Sequence, residues 1–446
     1  MTDNGSTLER KQNTLFRFDF VTFLAMVALM IIGVLFIYSS NLTSAAASAK
    51  SREYIAQIVW IVTAIIIYFL VQMGEYERFG RWAYYLYAAV ILLLVITLLW
   101  GETVNGARSW LGLFGLGIQP SEFMKVAVIL ALASFFRSRM GLITRPSTFL
   151  IACAIMIPPM LLVILQPDLG TTLVYIPIFL AMSFVAGVRK RYVFFLLIAG
   201  FLVVLFSVLP VWETAIMRRE INAFRILHER NLLLFTSGIL FATAALAMAG
   251  TYVTKKGYFY WISYGFSILW TSLFGSFFFR IFLKDYQIMR LIVFLKPEVD
   301  PRGSGRNIIQ SLTAAGSGGI TGKAYIQGTQ SHYQYLPQRS TDFIFSIIAE
   351  EWGFLGSFAV LLLFGIILVR GIFILFNARD SFGVFIGAGV LTMIFFHMMI
   401  NIGMAIGIMP ITGIPLLFLS YGGSSLWTAV IGMALLQNIY LNRYTY

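Results

Sequence analysis

Long apolar runs separated by short polar breaks dominate this chain. Windows long enough to cross a bilayer, about 20 residues, begin near residues 20, 54, 82, 121, 147, 171, 192, 232, 258, 342, 382 and 420. The pattern predicts an all-α polytopic membrane protein with about twelve transmembrane helices. Two polar breaks are long, residues 101–120 and 283–341. Unstructured loops of that length in compact proteins are either functional or disordered. The second contains apolar runs such as IIQSLTAA and is expected to fold back onto the membrane surface. No inverted repeat of the transporter kind is evident.

Composition sharpens the class. With 59% hydrophobic and 11% charged residues and a mean hydropathy of +0.85, a soluble protein is excluded. A net charge of +13 would suggest nucleic acid in a soluble chain, but here the cations sit in short loops, and no nucleic-acid partner is expected. Arg10, Lys11 and Arg17, Arg78 and Arg81, Arg137, Arg139 and Arg145, Arg189 to Arg191, Lys255 and Lys256, Arg370 and Arg379, and Arg443 all fall on one side. By the positive-inside rule both termini are cytoplasmic, with residues 1–18 as a cytoplasmic tail. The loop 211–231 disagrees: it places Arg218, Arg219, Arg225 and Arg230 outside, partly offset by Glu213, Glu220 and Glu229. The polar start MTDNGSTLERKQN runs into a full-length span without a small-residue cleavage site, which reads as a retained first helix. The single cysteine, Cys153, lies in an apolar run, so no disulfide or thiolate metal site forms within one chain.

Chemistry concentrates in the stretch LPQRSTDFIFSIIAEEWG, residues 336–353, where acids enter a membrane helix. Carboxylates in hydrocarbon are costly and mark functional sites. Asp342 falls at the first turn, where capping the helix is an alternative role. Glu350 lies about 12 Å deeper and about 80° around if the helix is continuous, and Glu351 points roughly the opposite way. In GLGIQPSEFMK, Glu122 and Lys125 share a helix face at i, i+3, as a salt bridge or as substrate ligands. Arg108 precedes the amphipathic Trp110 in NGARSWLGL, as an interfacial anchor or a phosphate ligand. Asp168 in LQPDLGTT is explained by turn chemistry. The run AAGSGGITGKA fails the phosphate-loop pattern twice, at Ser317 and Ala324, which excludes an ATPase of that type. His397 and Asn401 share a helix face and are expected to hydrogen-bond between helices. Lys284, Arg290, Lys323 and their basic neighbours lie on the same side as Asp342. An acid ringed by cations at the outer boundary suits a lipid-linked phosphate or pyrophosphate and a base that takes a proton from an attacking hydroxyl.

The motifs NGARSWLGLFGLGIQPSEFMK, LQPDLGTT, KDYQIMRLIVFLKPEVDPRGSG, IQSLTAAGSGGITGK, LPQRSTDFIFSIIAEEWGFLG and NIGMAIGIMPITGIPLLFLSYGGSS together resemble the SEDS family of shape, elongation, division and sporulation proteins. The resemblance covers most of residues 20–442, and MPITGIP is similar to the RodA branch rather than the FtsW branch. It implies one membrane domain over residues 1–446, in the bacterial cytoplasmic membrane. The implied activity is an inverting peptidoglycan glycosyltransferase that polymerises lipid II during cell elongation and releases undecaprenyl pyrophosphate. Asp342 matches the family's essential acid and becomes the general base; Arg108, Glu122, Lys125, Lys284, Arg290, Lys323 and Glu350 become candidate substrate ligands. The resemblance further implies a class B penicillin-binding protein and other elongation-complex membrane proteins as partners. A divalent cation, Mg or Mn, is expected, without an organic cofactor or an assigned metal ligand. The competing classes are a lipid II flippase and a non-catalytic scaffold. Departures from the family pattern are Ser340 where histidine is frequent, Leu417 for proline, and Arg306 and Asn307 for Tyr-Gln. The family plan has ten helices, so residues 211–282 read as an insertion holding two extra helices, followed by a long extracytoplasmic catalytic loop, 283–341.

Overall fold

The computed structural model describes residues 18–42, 53–104, 106–113, 116–217, 224–282, 285–300, 303–332 and 338–443. The longer helices run in chain order as α1 (Phe20–Asn41), α2 (Glu53–Gln72), α3 (Tyr76–Trp100), α4 (Pro120–Ser138), α5 (Pro146–Leu165), α6 (Leu169–Ala186), α7 (Lys190–Trp212), α8 (Arg230–Thr254), α9 (Gly257–Phe282), α10 (Asp285–Leu295), α11 (Ser304–Ser317), α12 (Ile344–Phe376), α13 (Ser381–Ala405) and α14 (Gly423–Leu441). All but α10 and α11 have 18 residues or more, and these twelve stand where the hydropathy pattern puts them. Eleven are long and apolar enough to cross a membrane. The twelfth is α4, which carries Glu122, Lys125 and Arg137 within its 19 residues.

Their starts follow ordinary capping chemistry. Asp19 accepts from Val21 N (3.1 Å) and Thr22 N (3.4 Å) ahead of α1, Asp168 accepts from Thr171 N (3.1 Å) ahead of α6, and Asp380 accepts from Gly383 N (3.1 Å) ahead of α13. Each supplies an acceptor that the first helical turn lacks. Pro120 and Pro146 open α4 and α5 at the position where a missing N–H costs nothing.

The described chain divides into two compact units, one of residues 1–188 with 307–446, the other of residues 189–306. In the first, α4, α13 and α14 are buried along most of their length, while α3 shows apolar residues such as Trp82, Tyr85, Leu92 and Trp100 outward. One end of this unit is tied by charge: Arg370 pairs with Asp19 at 3.1 Å, Tyr76 donates to Asp380 at 2.6 Å, and Arg137 lies 3.7 Å from Asp380. The break at residues 101–120 is not wholly irregular. It forms a small antiparallel sheet ordered β1 (Glu102–Val104), β2 (Ala107–Leu113), β3 (Leu116–Ile118), with Glu102 opposite Trp110 and Leu111 opposite Ile118.

In the second unit α7, α8 and α9 pack side by side through small residues. Ser272 donates to Ala199 O at 3.4 Å and Ser263 to Ala244 O at 3.0 Å. A Cβ on Gly275 would come within 2.8 Å of Val203, so only glycine permits that approach. The segment after α9 is more regular than a loop, since α10 and part of α11 lie within it.

Candidate active site

Asp342 is not the N-cap residue of a helix. The turn 338–343 precedes α12, whose first residue is Ile344 and whose N-cap position is Phe343. The expected continuous helix from Asp342 to Glu350 is therefore interrupted at its start. Asp342 N instead donates to Gln338 O at 3.0 Å. Three successive carbonyls of this turn are held from outside it: Ser340 O by Tyr421 N (2.9 Å), Thr341 O by Ser420 Oγ (2.6 Å) and Asp342 O by Asn401 Nδ2 (2.9 Å). Ser420 is itself fixed by Leu416 N at 2.9 Å. With its backbone pinned on three sides, the half-buried Asp342 side chain has a defined direction. A Cβ built on Gly413 would lie 3.6 Å from Asp342 Oδ2, so the carboxylate faces the bare backbone of Gly413.

The segment 411–422 that supplies these bonds is itself under strain. Gly413 has φ +74° and the buried Phe418 has φ +70°, a region that costs a non-glycine residue about 1–2 kcal/mol. It is wedged between helices that approach too closely for side chains. A Cβ on Gly33 of α1 would meet Leu419 O at 2.6 Å, and one on Gly170 of α6 would meet Thr412 O at 2.5 Å. The LQPDLGTT motif thus packs on the MPITGIP motif through Gly170, with Asp168 in the turn role expected for it.

Glu122 and Lys125 form a fully enclosed pair, Nζ to Oε1 2.6 Å, with side-chain exposures of 3% and 0%. Lys125 Nζ also lies 3.0 Å from His397 Nε2, and His397 Nδ1 lies 2.9 Å from Pro415 O. A carbonyl can only accept and an ammonium can only donate, so the imidazole is neutral, with its proton on Nδ1. Asn401, one turn further along α13, donates to Ile414 O (2.8 Å) as well as to Asp342 O. The Glu122–Lys125 pair and the Asp342 turn therefore connect to adjacent carbonyls, Pro415 and Ile414. Asn401 is read from sequence as a hydrogen-bonding residue but not as a partner of Asp342, and Gly413 is not singled out there at all. The available signal was their position within NIGMAIGIMPITGIP.

Glu350 and Glu351 are both fully buried, but the structure gives them other partners. Gly353, at φ 65° and ψ −157°, breaks α12 just after them. The exposed carbonyls of Glu350 and Glu351 accept from Lys323 N (3.0 Å) and Ala324 N (3.1 Å), while Phe354 N and Leu355 N donate to Gly319 O (2.9 Å) and Ile320 O (3.1 Å). Glu350 Oε1 takes Lys323 Nζ (3.0 Å), Thr329 Oγ1 (3.1 Å) and Gln330 N (2.9 Å). Glu351 takes Ser39 Oγ (2.5 Å) and Ile326 N (3.0 Å). The glycine-rich run that imitates a phosphate loop is thus a latch laid into a helix break, and Lys323 and Glu350 face each other within it.

Arg108 lies on β2 and donates through Nε to Gly101 O at 2.9 Å, closing the end of α3. Arg290 lies on α10 in the second unit, and Lys284 lies outside the described residues. Arg339, three residues before Asp342, is buried, and burial pulls its guanidinium below the ordinary value against the opposing pull of Glu53. Among the described residues no cluster of three or more His, Cys, Asp or Glu side chains is placed to hold a metal ion.

Comparison with known proteins fits this arrangement to a family. The profile of the FtsW/RodA/SpoVE cell cycle protein family matches residues 20–229 and 232–445. The chain belongs to that family. Within it, the peptidoglycan glycosyltransferase RodA of Treponema pallidum is 47% identical over 424 residues, 95% of this chain and 97% of the relative. Stage V sporulation protein E of Bacillus subtilis is 32% identical, covering 94% of this chain and 96% of that protein. A chain from a peptidoglycan synthase complex that coordinates polymerization and crosslinking superposes with a TM-score of 0.64 at 28% identity, covering 96% of this chain and 99% of its own length. These FtsW/RodA/SpoVE relatives are matched along nearly their whole length.

Proposed function

We propose that this chain is a peptidoglycan glycosyltransferase that polymerises lipid II into glycan strands, with Asp342 as the general base. The observation that carries the reading is the Asp342 turn: a half-buried carboxylate whose backbone is held at three carbonyls and whose Oδ2 lies beside the backbone of Gly413. In the reaction the 4-hydroxyl of the acceptor sugar attacks the anomeric carbon of the donor, and Asp342 takes the hydroxyl proton. The bond to undecaprenyl pyrophosphate breaks on the opposite face. One displacement inverts the anomeric centre, and one base suffices.

Negative charge grows on the departing pyrophosphate and needs fixed positive charge nearby. Lys125, held by Glu122 and His397, supplies an ammonium that cannot reorient, and Arg108 supplies a guanidinium on the β2 strand. Asp342 and the substrate's own phosphates would hold a divalent cation, Mg or Mn; among the described residues no cluster of three or more His, Cys, Asp or Glu side chains is placed to hold one. It would supply charge neutralisation only. The basic loops Arg78, Arg137, Arg370 and Arg379 lie at the opposite end of the first unit from Asp342, which supports an outward-facing site and cytoplasmic termini in the bacterial inner membrane. A class B penicillin-binding protein is the partner that would crosslink the product.

The test is product formation. Purified Asp342→Asn, folded and supplied with its transpeptidase partner, is expected to make no glycan strands from lipid II, because an amide of nearly the same shape cannot accept the proton. Strand synthesis at near wild-type rate would remove the base assignment. Wild-type protein that moves lipid II across vesicles without making polymer would point to a flippase, and one that does neither to a scaffold.

A further inference from the structure

On one face of α13, His397 and Asn401 each reach the same short segment, Ile414-Pro415. Asn401 spends both of its N–H donors on carbonyls, Asp342 O (2.9 Å) and Ile414 O (2.8 Å), and its Oδ1 is buried without a partner. Leaving that oxygen unsatisfied costs free energy that an apolar residue would avoid, so holding the two carbonyls is what the side chain contributes. His397 sits one turn earlier between Lys125 Nζ (3.0 Å) and Pro415 O (2.9 Å). The segment they hold continues into backbone that would not keep its conformation unaided, with Gly413 and Phe418 both at positive φ. Strained backbone persists only where its surroundings over-determine it, and it clusters at functional sites.

We infer that His397 and Asn401 are positioning residues that couple the Glu122–Lys125 pair to Asp342 through the Ile414-Pro415 segment. Neither touches the reacting atoms. His397 fixes the direction of the Lys125 ammonium and transmits its position to Pro415, and Asn401 locks the neighbouring carbonyl to the backbone of the base. A shift of Lys125 therefore displaces Asp342. The inference rests on the reading of Asp342 as the base.

The experiment uses the full chain with its transpeptidase partner in lipid nanodiscs and measures kcat and KM for lipid II separately. Asn401→Ser removes both carbonyl bonds. His397→Asn keeps a donor near Pro415 and loses the acceptor for Lys125, whereas His397→Gln keeps an acceptor for Lys125 and loses the Pro415 bond. Each variant is expected to lower kcat at least tenfold, leave KM within twofold, and keep its unfolding temperature within a few degrees of wild type. Because both residues act through one segment, the His397→Asn/Asn401→Ser double variant is expected within threefold of the worse single. Independent roles would multiply to about a hundredfold, and that outcome overturns the coupling. Wild-type turnover in His397→Gln also overturns it, since the Pro415 bond, the link to the segment, would then be dispensable. Should Asn401→Ser fail to fold, the two His397 variants decide by themselves. Asp342→Asn runs alongside: full activity there removes the base reading itself, whereas an inactive Asp342→Asn with fully active His397 variants removes only the positioning inference.

Discussion

Breaking the Glu122–Lys125 pair separates what holds this protein together from what makes it work. The Nζ–Oε1 distance of 2.6 Å and the 0% and 3% exposures put the pair out of reach of water. Glu122 Oε2 already lacks a hydrogen-bond partner. Lys125→Met would leave the carboxylate with neither its cation nor a second donor, and would strip His397 Nε2 of its only proton source at that position. Removing one partner of a buried pair costs about 3–5 kcal/mol. Replacing both with apolar residues of similar volume is often neutral or stabilising by about 1–4 kcal/mol. The Glu122→Met/Lys125→Met double variant is discounted here for the unmet His397 Nε2, roughly 1–3 kcal/mol, and should fall close to wild type. The assay is denaturant unfolding of purified protein in micelles, followed by tryptophan fluorescence, with strand synthesis measured on the same samples. The expected result is a destabilised Lys125→Met, a rescued double variant, and no glycan synthesis from either. A Lys125→Met variant that loses less than about 1 kcal/mol, or a double variant less stable than Lys125→Met, would refute the reasoning. Full activity in the double variant would confine the pair to a structural role.

Gly413→Ala places a methyl group 3.6 Å from Asp342 Oδ2. It should cost about 1–2 kcal/mol for its positive φ yet lower strand synthesis more than tenfold, measured as kcat in nanodiscs. Activity within twofold of wild type would mean the acceptor approaches elsewhere. Gly353→Ala forces a side chain into a conformation close to glycine-only and against Ile320 O at 2.7 Å; the strain alone is about 1–3 kcal/mol, and the latch at 318–324 should become protease-sensitive. Unchanged proteolysis would show that the helix break is dispensable. Asp19→Ala removes the α1 cap and the 3.1 Å pair with Arg370. It should destabilise by roughly 1–2 kcal/mol without changing KM for lipid II, and a KM change would give that end a part in substrate binding.

The helices were legible because the physics that forms them is one-dimensional. Length and hydropathy decide whether a run spans a bilayer, and neither depends on residues distant in sequence. What stayed illegible depends on residues far apart in sequence. Asn401 meets Asp342 across 59 positions and Gln57 meets Gly422 across 365; no periodicity encodes such partners. The small sheet at 102–118 was missed because its strands have only 3, 7 and 3 residues, too short for an alternating pattern to stand out. The start of α12 falls two residues beyond Asp342 because TDFIF is as apolar as a helix, while its turn is set by carbonyl bonds to Ser420, Tyr421 and Asn401.

The three acids of residues 336–353 show why a buried carboxylate is an ambiguous sign. Glu350 and Glu351 lie deepest, and depth alone ranks them above Asp342 as functional candidates. Their oxygens instead meet Lys323, Thr329, Gln330 N, Ser39 and Ile326 N, donors supplied by the chain itself. Carboxylates so engaged anchor the segment 318–330 to the break in α12, which is a structural use of their oxygens. Asp342 is shallower and half-buried, and what is fixed by neighbouring groups is its backbone: the three carbonyl bonds fall on Ser340, Thr341 and Asp342 O, and Oδ2 looks toward Gly413. A base must be rigid in direction, and a main chain held at three carbonyls gives the Asp342 side chain that rigidity. The distinction lies in which atoms the protein satisfies, and sequence spacing does not contain it.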